Sequence, residues 1–339
     1  MKALIFGVTG QDGAYLARHL LHHGYTVVGA YRRSATDTTW RLDVANVLHE
    51  IELHPVDMTE FASILRLIEK VEPSHVFNLA AQSFVRTSFE VPMFTSDVTA
   101  LGALRVLEAI RQVNPAIRYY QASSSEQFGD VIGSPQDEQT PFNPRSPYGV
   151  SKVFAHHMTV NYREAYGIHA CCGILFNHES PLRGTEFVTR KVTSELARWA
   201  VGNGRPFKLG NLDARRDWGH AADYVVAMKM ILEFVHPHDY VIATGKTHTV
   251  RELVSVAAEA AGLDFHWNGD LGYIGMKEAI TVDRNLYRPS EVWTLHGNAN
   301  KARHFLGWSP TYSFTDLIGE MVRIDIHRAE SEGTICLPD

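Results

Sequence analysis

Through the first half of the chain, short apolar runs at residues 2–6, 26–31, 51–55, 75–79, 118–122 and 170–176 alternate with amphipathic stretches, among them 13–23, 60–71 and 98–114. Runs of that length separated by helical periodicity predict parallel strands joined by crossover helices. The expected fold is a doubly wound α/β sheet.

After Asn177 the pattern loosens into long loops rich in Arg, Gly and His, before a further strand at 240–243. Thr249-Val-Arg-Glu252 reads as a capping box, and Val250, Leu253, Val254, Ala257, Ala258 and Ala261 follow it at helical spacing. A smaller lobe, built mainly from the C-terminal half, is expected beside the sheet.

Composition narrows the function. At 339 residues, 45% hydrophobic and 21% charged, the chain has the makeup of a globular enzyme rather than a disordered or fibrous protein. The net charge of −6 and the lack of a long Lys/Arg run argue against a nucleic-acid surface. The local pairs Arg32-Arg33 and Arg215-Arg216 suit a small phosphorylated ligand better. With no apolar stretch approaching 18 residues and a first strand that starts at Lys2, a cytoplasmic protein without a membrane segment is expected. The three cysteines, including adjacent Cys171 and Cys172, and the pairs His22-His23 and His156-His157 lack metal-ligand spacing, so no metal is expected.

Candidate chemistry begins at Gly7-Val-Thr9-Gly10-Gln11-Asp12-Gly13, directly after the first strand and opening a helix. Glycines there let the backbone approach a pyrophosphate, and the helix N-terminus offers N–H groups and a positive dipole. Where an NAD enzyme places an acidic residue at the end of the second strand, this chain has Arg32, which favours the 2′-phosphate of NADP. Asp57 and Met58 close the third strand, and Leu79, Ala80, Ala81 and Ser83 follow the fourth. Those positions fall at the carboxyl edge of the sheet, where such folds bind ligands.

Tyr148 and Lys152 are four apart, on one face of a helix that Pro147 can begin. A nearby ammonium is expected to lower a phenol pKa of about 10 toward that of a general base. Ser124 at the end of the fifth strand can hydrogen-bond the same oxygen. Glu126, two residues on, adds a carboxylate able to take a proton from carbon.

The turn, Ser124 and the Tyr148/Lys152 pair resemble the extended short-chain dehydrogenase/reductase superfamily, with its Rossmann-type sheet. Within it, Tyr120-Gln-Ala-Ser-Ser-Ser-Glu126, Pro144-Arg-Ser-Pro-Tyr148-Gly-Val-Ser-Lys152, Ile174-Leu-Phe-Asn-His-Glu-Ser-Pro181, Phe187-Val-Thr-Arg-Lys-Val192, Arg216-Asp-Trp-Gly219, Tyr287-Arg-Pro-Ser-Glu291 and Leu306-Gly-Trp308 are similar to the GDP-mannose 4,6-dehydratase family. The resemblance runs from residue 1 to about Val322. It implies an NADP-binding region at 1–177 and, at 178–330, a region that mainly binds the nucleotide-sugar and sends segments back to the first.

The implied reaction converts GDP-D-mannose to GDP-4-dehydro-6-deoxy-D-mannose by C4 oxidation, loss of water across C5 and C6, and hydride return to C6. Tyr148 would act as base at O4 with Ser124 on the same oxygen, Lys152 beside them and Glu126 at the C5 hydrogen. Tyr148, Lys152, His178 and Arg183 are implied cofactor contacts. Ser83, Ser124, Glu126, Asn177, Val188, Lys191, Arg216, Arg288 and Glu291 are implied substrate contacts, and a homotetramer is implied as the assembly. Two departures stand out: Ser124 where the family usually has Thr, and Phe94 where relatives often carry Tyr.

Alternative readings of the same residues are a GDP-heptose dehydratase or C4 oxidase, a nucleotide-sugar C4 epimerase, and an NADP-sensing protein without activity. An epimerase has no need of a C5 base, and a sensor has no need of the Ser124, Glu126, Tyr148 and Lys152 set.

Overall fold

A computed structural model describes residues 1–130, 133 and 135–331. Its central sheet has seven strands: β1 (Lys2–Phe6), β2 (Thr26–Tyr31), β3 (Glu52–Pro55), β4 (His75–Asn78), β5 (Arg118–Ser124), β6 (Ala170–Leu175) and β7 (Tyr240–Ile242). All pairings are parallel, in the order β7-β6-β5-β4-β1-β2-β3. The chain therefore winds outward from β1 in one direction and then, from β4, in the other. Between β1 and β4 the crossovers leave to opposite faces, which opens the crevice that ligands use in this architecture.

β1, β4, β5 and β6 are buried along nearly their whole length, because helices cover both faces of the sheet. One face packs on α1 (Gln11–His22) and the helix Ala221–Glu233, through Leu16, Leu20, Val225 and Met228 against Ile5, Ile174 and Val241. Helices Phe61–Val71, Gly102–Val113 and α2 (Pro147–Tyr166) cover the other, bringing Ile64, Val106 and Tyr162 against Leu4, Val76 and Tyr119. A third cluster joins helices Val188–Ala200, Val250–Ala260 and Phe314–Ser331 to a four-stranded sheet that includes Phe265–Asn268, Leu271–Ile274, Lys277–Val282 and Phe207–Leu209.

Local signals set several boundaries. The side chain of Glu60 caps Phe61–Val71 by accepting from the N–H groups of Ala62 and Ser63. Thr249 and Glu252 form the expected capping box, so that helix starts where its sequence says. Elsewhere the structure differs. β5 continues two residues past 122, because pairing with β6 runs on to Ser124 opposite Leu175. The stretch at 98–114 is not one regular helix: a π turn at Asp97–Leu101 precedes Gly102–Val113, and Thr99 Oγ1 there accepts the N–H of Gln82. Cys171 and Cys172 are buried in β6, and burial pushes both thiols up. Among the described residues no helix is long and apolar enough to cross a membrane.

Candidate active site

The glycine turn is shaped by close approach. Gly7 has φ +82°, and a Cβ there would lie 2.9 Å from the Ala80 nitrogen. At Gly13 a Cβ would meet the Val8 carbonyl oxygen at 2.4 Å. Gly10, the N-cap of α1, brings no side chain to the helix end, which leaves that end open to an anion. A diphosphate fits this cradle.

The turn is tied to the segment after β6. Gln11 Nε2 donates to the His178 carbonyl at 3.1 Å and Ser180 Oγ donates to Gln11 Oε1 at 2.8 Å. His178 Nε2 lies 2.8 Å from Asp12 Oδ2 and Nδ1 lies 2.7 Å from the Phe176 carbonyl, while the ring stacks on Tyr224. Both ring nitrogens therefore face acceptors. Burial raises the Asp12 carboxyl, but His178, Gln11 and Arg183 outweigh it and bring its pKa to about 2. Burial alone would lower His178, yet Asp12 and the Phe176 carbonyl leave it raised.

Two elements place the catalytic candidates. Ser124 ends β5, and Ser125–Gln127 follow as a 3-10 turn in which the Glu126 N–H donates to Ser124 Oγ at 3.2 Å. Ser146 caps α2, with Pro147 in the first turn, so Tyr148 and Lys152 face the strand end one turn apart. The turn and the helix are clamped together. Gln127 Nε2 donates to the Lys152 carbonyl at 2.7 Å, and a Cβ on Gly149 would stand only 2.7 Å from the Glu126 carbonyl oxygen. Gln127 is fully buried and was not anticipated as part of the site.

The expected lowering of the Tyr148 pKa is absent. Burial pushes the phenol up to about 12, against a smaller downward pull from its hydrogen bond with Ser124. Lys152 Nζ donates to the Ala122 carbonyl at 2.6 Å and stands 5.7 Å from the Tyr148 ring centre. Burial also lowers the ammonium pKa to about 8. Desolvation is thus the largest influence on both groups.

Glu126 faces a cationic wall. Arg288 Nη1 donates to Glu126 Oε1 at 3.0 Å, and the Arg288 N–H donates to Glu291 Oε1 at 2.7 Å. Arg216 is buried, and its Nη1 donates to the carbonyls of Arg215 and Trp293. For Glu126 burial acts upward, but Arg288 and Arg216 leave its pKa lowered.

These groups line one cleft of about 390 Å³. It brings together Ser124, Glu126, Tyr148 and Lys152 with Gly10, Gln11, Asp12, Gly13, Leu79, Ala81, Ser83, His178 and Arg183. Asn177, Val188, Lys191, Arg216, Arg288 and Glu291 line it too. Asn177 Oδ1 is buried without a hydrogen-bond partner among the described residues.

Gly7 and Thr9, in the turn, and Ala80, which Gly7 approaches, lie behind that lining rather than in it. Arg32, Asp57 and Met58 lie outside it at the ends of β2 and β3, where Arg32 is exposed, sits 5.9 Å over the Phe94 ring and draws the Asp57 carboxyl down less than its bonds to Thr59 do. Arg86 and Asn211 also line the cleft, and sequence reasoning missed both. Arg86 stands three residues past Ser83, so its closeness to the sheet edge was an available signal.

A family model described as GDP-mannose 4,6 dehydratase matches residues 4–321. GDP-mannose 4,6 dehydratase 1 of Arabidopsis thaliana is 48% identical over 342 aligned positions, covering 97% of this chain and 91% of its own. The GDP-mannose 4,6-dehydratase of Sinorhizobium fredii is 48% identical over 341, covering 96% of each. Among solved structures, the Thermus thermophilus UDP-glucose 4-epimerase in complex with NAD superposes with a TM-score of 0.80 at 24% identity, over 95% of this chain and 98% of that one. That likeness is one of fold. The sequence matches go further, spanning the strand end, the helix and the arginine wall alike: the chain is an enzyme of the GDP-mannose 4,6 dehydratase family.

Proposed function

We propose that this protein dehydrates GDP-D-mannose to GDP-4-dehydro-6-deoxy-D-mannose, with NADP as its cofactor. The observation that carries the reading is the buried carboxylate of Glu126 in the same cleft as the Ser124 hydroxyl and the Tyr148 phenol. Beside a hydride carrier, a hydroxyl and a phenol serve oxidation and reduction at an alcohol carbon; the Glu126 carboxylate next to them adds a second base, for carbon.

The glycine cradle and the open end of α1 would hold the diphosphate of a nicotinamide dinucleotide, and Arg32 at the end of β2 would favour a 2′-phosphate. Bound there, the cofactor supplies the hydride acceptor for C4 and the donor for C6. Tyr148 takes the O4 proton, with Ser124 hydrogen-bonded to the same oxygen and Lys152 positioning the pair. A ketone at C4 makes the C5 hydrogen acidic. Glu126 takes that proton, the electron pair enters the C5–C6 bond, and the C6 hydroxyl leaves as water with the proton that Glu126 passes to it; return of hydride to C6 places the electron pair back at C5, which takes a proton from solvent.

Arg216, Arg288 and Lys191 supply positive charge for the nucleotide diphosphate, and the unpartnered Asn177 Oδ1 offers an acceptor for a ligand donor. A homo-oligomer fits the exposed apolar face made by Val91, Met93, Phe94, Leu101, Val150 and Phe154. The reaction is tested by mixing purified protein with GDP-mannose and following mass. The nucleotide-sugar should lose one water with no net production of NADPH. Unchanged mass overturns the reading.

A further inference from the structure

Glu126 is assigned the hardest proton transfer, yet it meets the cleft already paired. Its Oε1 accepts from Arg288 Nη1 at 3.0 Å, and a carboxylate whose lone pair and charge are both engaged by a guanidinium is a weak base. Arg288 comes from residues 283–293, a stretch whose only helical element is the 3-10 turn Arg284–Leu286, and it is part-exposed where Glu126 is buried. The arginine side is thus the one able to move.

The same guanidinium lines the part of the cleft assigned to the nucleotide diphosphate. A diphosphate carries more charge than one carboxylate and presents paired oxygens that fit the planar fork of arginine. The two anions therefore compete for Arg288.

We propose that Arg288 is a ligand-operated latch on Glu126: it holds the carboxylate as an ion pair in the ligand-free protein and leaves it for the diphosphate when a nucleoside diphosphate binds, so that Glu126 becomes a free base only in a loaded site. Arg288 acts through Glu126 and is in this respect a positioning residue. The latch rests on the diphosphate placement proposed above, and it links binding energy far from the sugar to the chemistry at C5.

The charges around Glu126 support the direction. Arg288 and Arg216 face it from the opposite wall and Tyr148 faces it from α2, while Glu291 acts on both arginines. Burial, the largest influence on Glu126, acts upward and is overcome mainly by Arg288. With Arg288 withdrawn, Arg216 alone opposes burial. Arg216 stays near because its Nη1 is fixed to two backbone carbonyls. The carboxylate then gains basicity without losing all its electrostatic support.

The test follows the Glu126 carboxyl itself, by side-chain ¹³C NMR of glutamate-labelled protein, with Glu126→Gln to assign the signal and GDP alone as the ligand. In wild-type protein GDP should raise the titration midpoint of Glu126. In Arg288→Gln the midpoint should start high and stay there when GDP is added, and Arg288→Lys should restore part of the wild-type response. A wild-type midpoint that GDP leaves unchanged, or an Arg288→Gln midpoint equal to wild type, overturns the latch. Failure of the reaction is separable: GDP-mannose that binds but keeps its mass sinks the dehydratase reading and leaves the GDP-induced shift standing.

Discussion

The wall of the cleft that carries Ser124, Glu126, Tyr148 and Lys152 comes from a strand end and a helix that touch backbone to backbone, whereas the wall with Arg216, Arg288 and Glu291 comes from short strands and loops. On the first wall, position is set by contacts with no slack: the Gly149 approach, the Gln127 bond to the Lys152 carbonyl and the Ser146 cap. On the second, Arg216 is pinned to the carbonyls of Arg215 and Trp293, while the guanidinium of part-exposed Arg288 is placed by its ion pair with Glu126 and its backbone N–H by Glu291. Groups that must meet reacting atoms within a fraction of an ångström stand on the stiff wall. Groups that only have to meet a diphosphate stand on the adaptable one.

Changing the chemistry of the stiff wall should cost most. Glu126→Gln, nearly the same shape, is expected to lower dehydration ~10⁴-fold while C4 oxidation persists as NADPH absorbance. A variant that dehydrates at the wild-type rate would remove Glu126 from its role. Changing only the clamp should cost less: Gln127→Ala releases the turn from the Lys152 carbonyl and is expected to lower kcat ~10²-fold with KM for GDP-mannose little changed. A rise in KM alone would show that the stiffness matters for binding instead.

At the edge of the sheet, beyond both walls, Arg32→Ala should weaken NADP about tenfold, the size of one charge-assisted hydrogen bond, and leave NAD unchanged in a direct binding titration. The smallest effect is expected at the Asp12–His178 pair. Asp12 has its folded pKa depressed to about 2, so its contribution is present above its unfolded value and lost as pH falls through about 2. His178 is raised, so its contribution is present below its unfolded value and lost as pH climbs through the raised one. Asp12→Asn should therefore cost about 1 kcal/mol, most clearly near pH 5 to 6, with the gap in Tm closing toward both extremes. A gap that is flat with pH would mean that packing, not charge, holds the pair.

The stiff wall was legible in the sequence because its parts are local. A serine at a strand end and a Tyr–Lys pair at helical spacing each carry their geometry in a few residues, as does the glycine turn beside that wall. Gln127 escaped because it ends a polar run, Ser123 to Gln127, whose burial no periodicity announces. The adaptable wall was reached through resemblance, since nothing in the spacing of Arg216 and Arg288 brings them to Glu126. The strands Phe265–Asn268 and Leu271–Ile274 went unread because each is only four residues long and largely exposed or part-exposed. The lowered phenol was expected from Tyr148 and Lys152 as a pair, and burial of both reversed it.

The chemistry of the cleft turns on whether a proton leaves C5 for Glu126. The direct measurement is turnover of GDP-mannose in D₂O, with the product read by mass and proton NMR. The wild-type product should carry solvent deuterium at C5, because the proton taken by Glu126 departs with the water and C5 is protonated again from solvent, and Glu126→Gln should give no such product. A dehydrated product that retains its original hydrogen at C5, or deuterium incorporation that survives in Glu126→Gln, would contradict the role of Glu126.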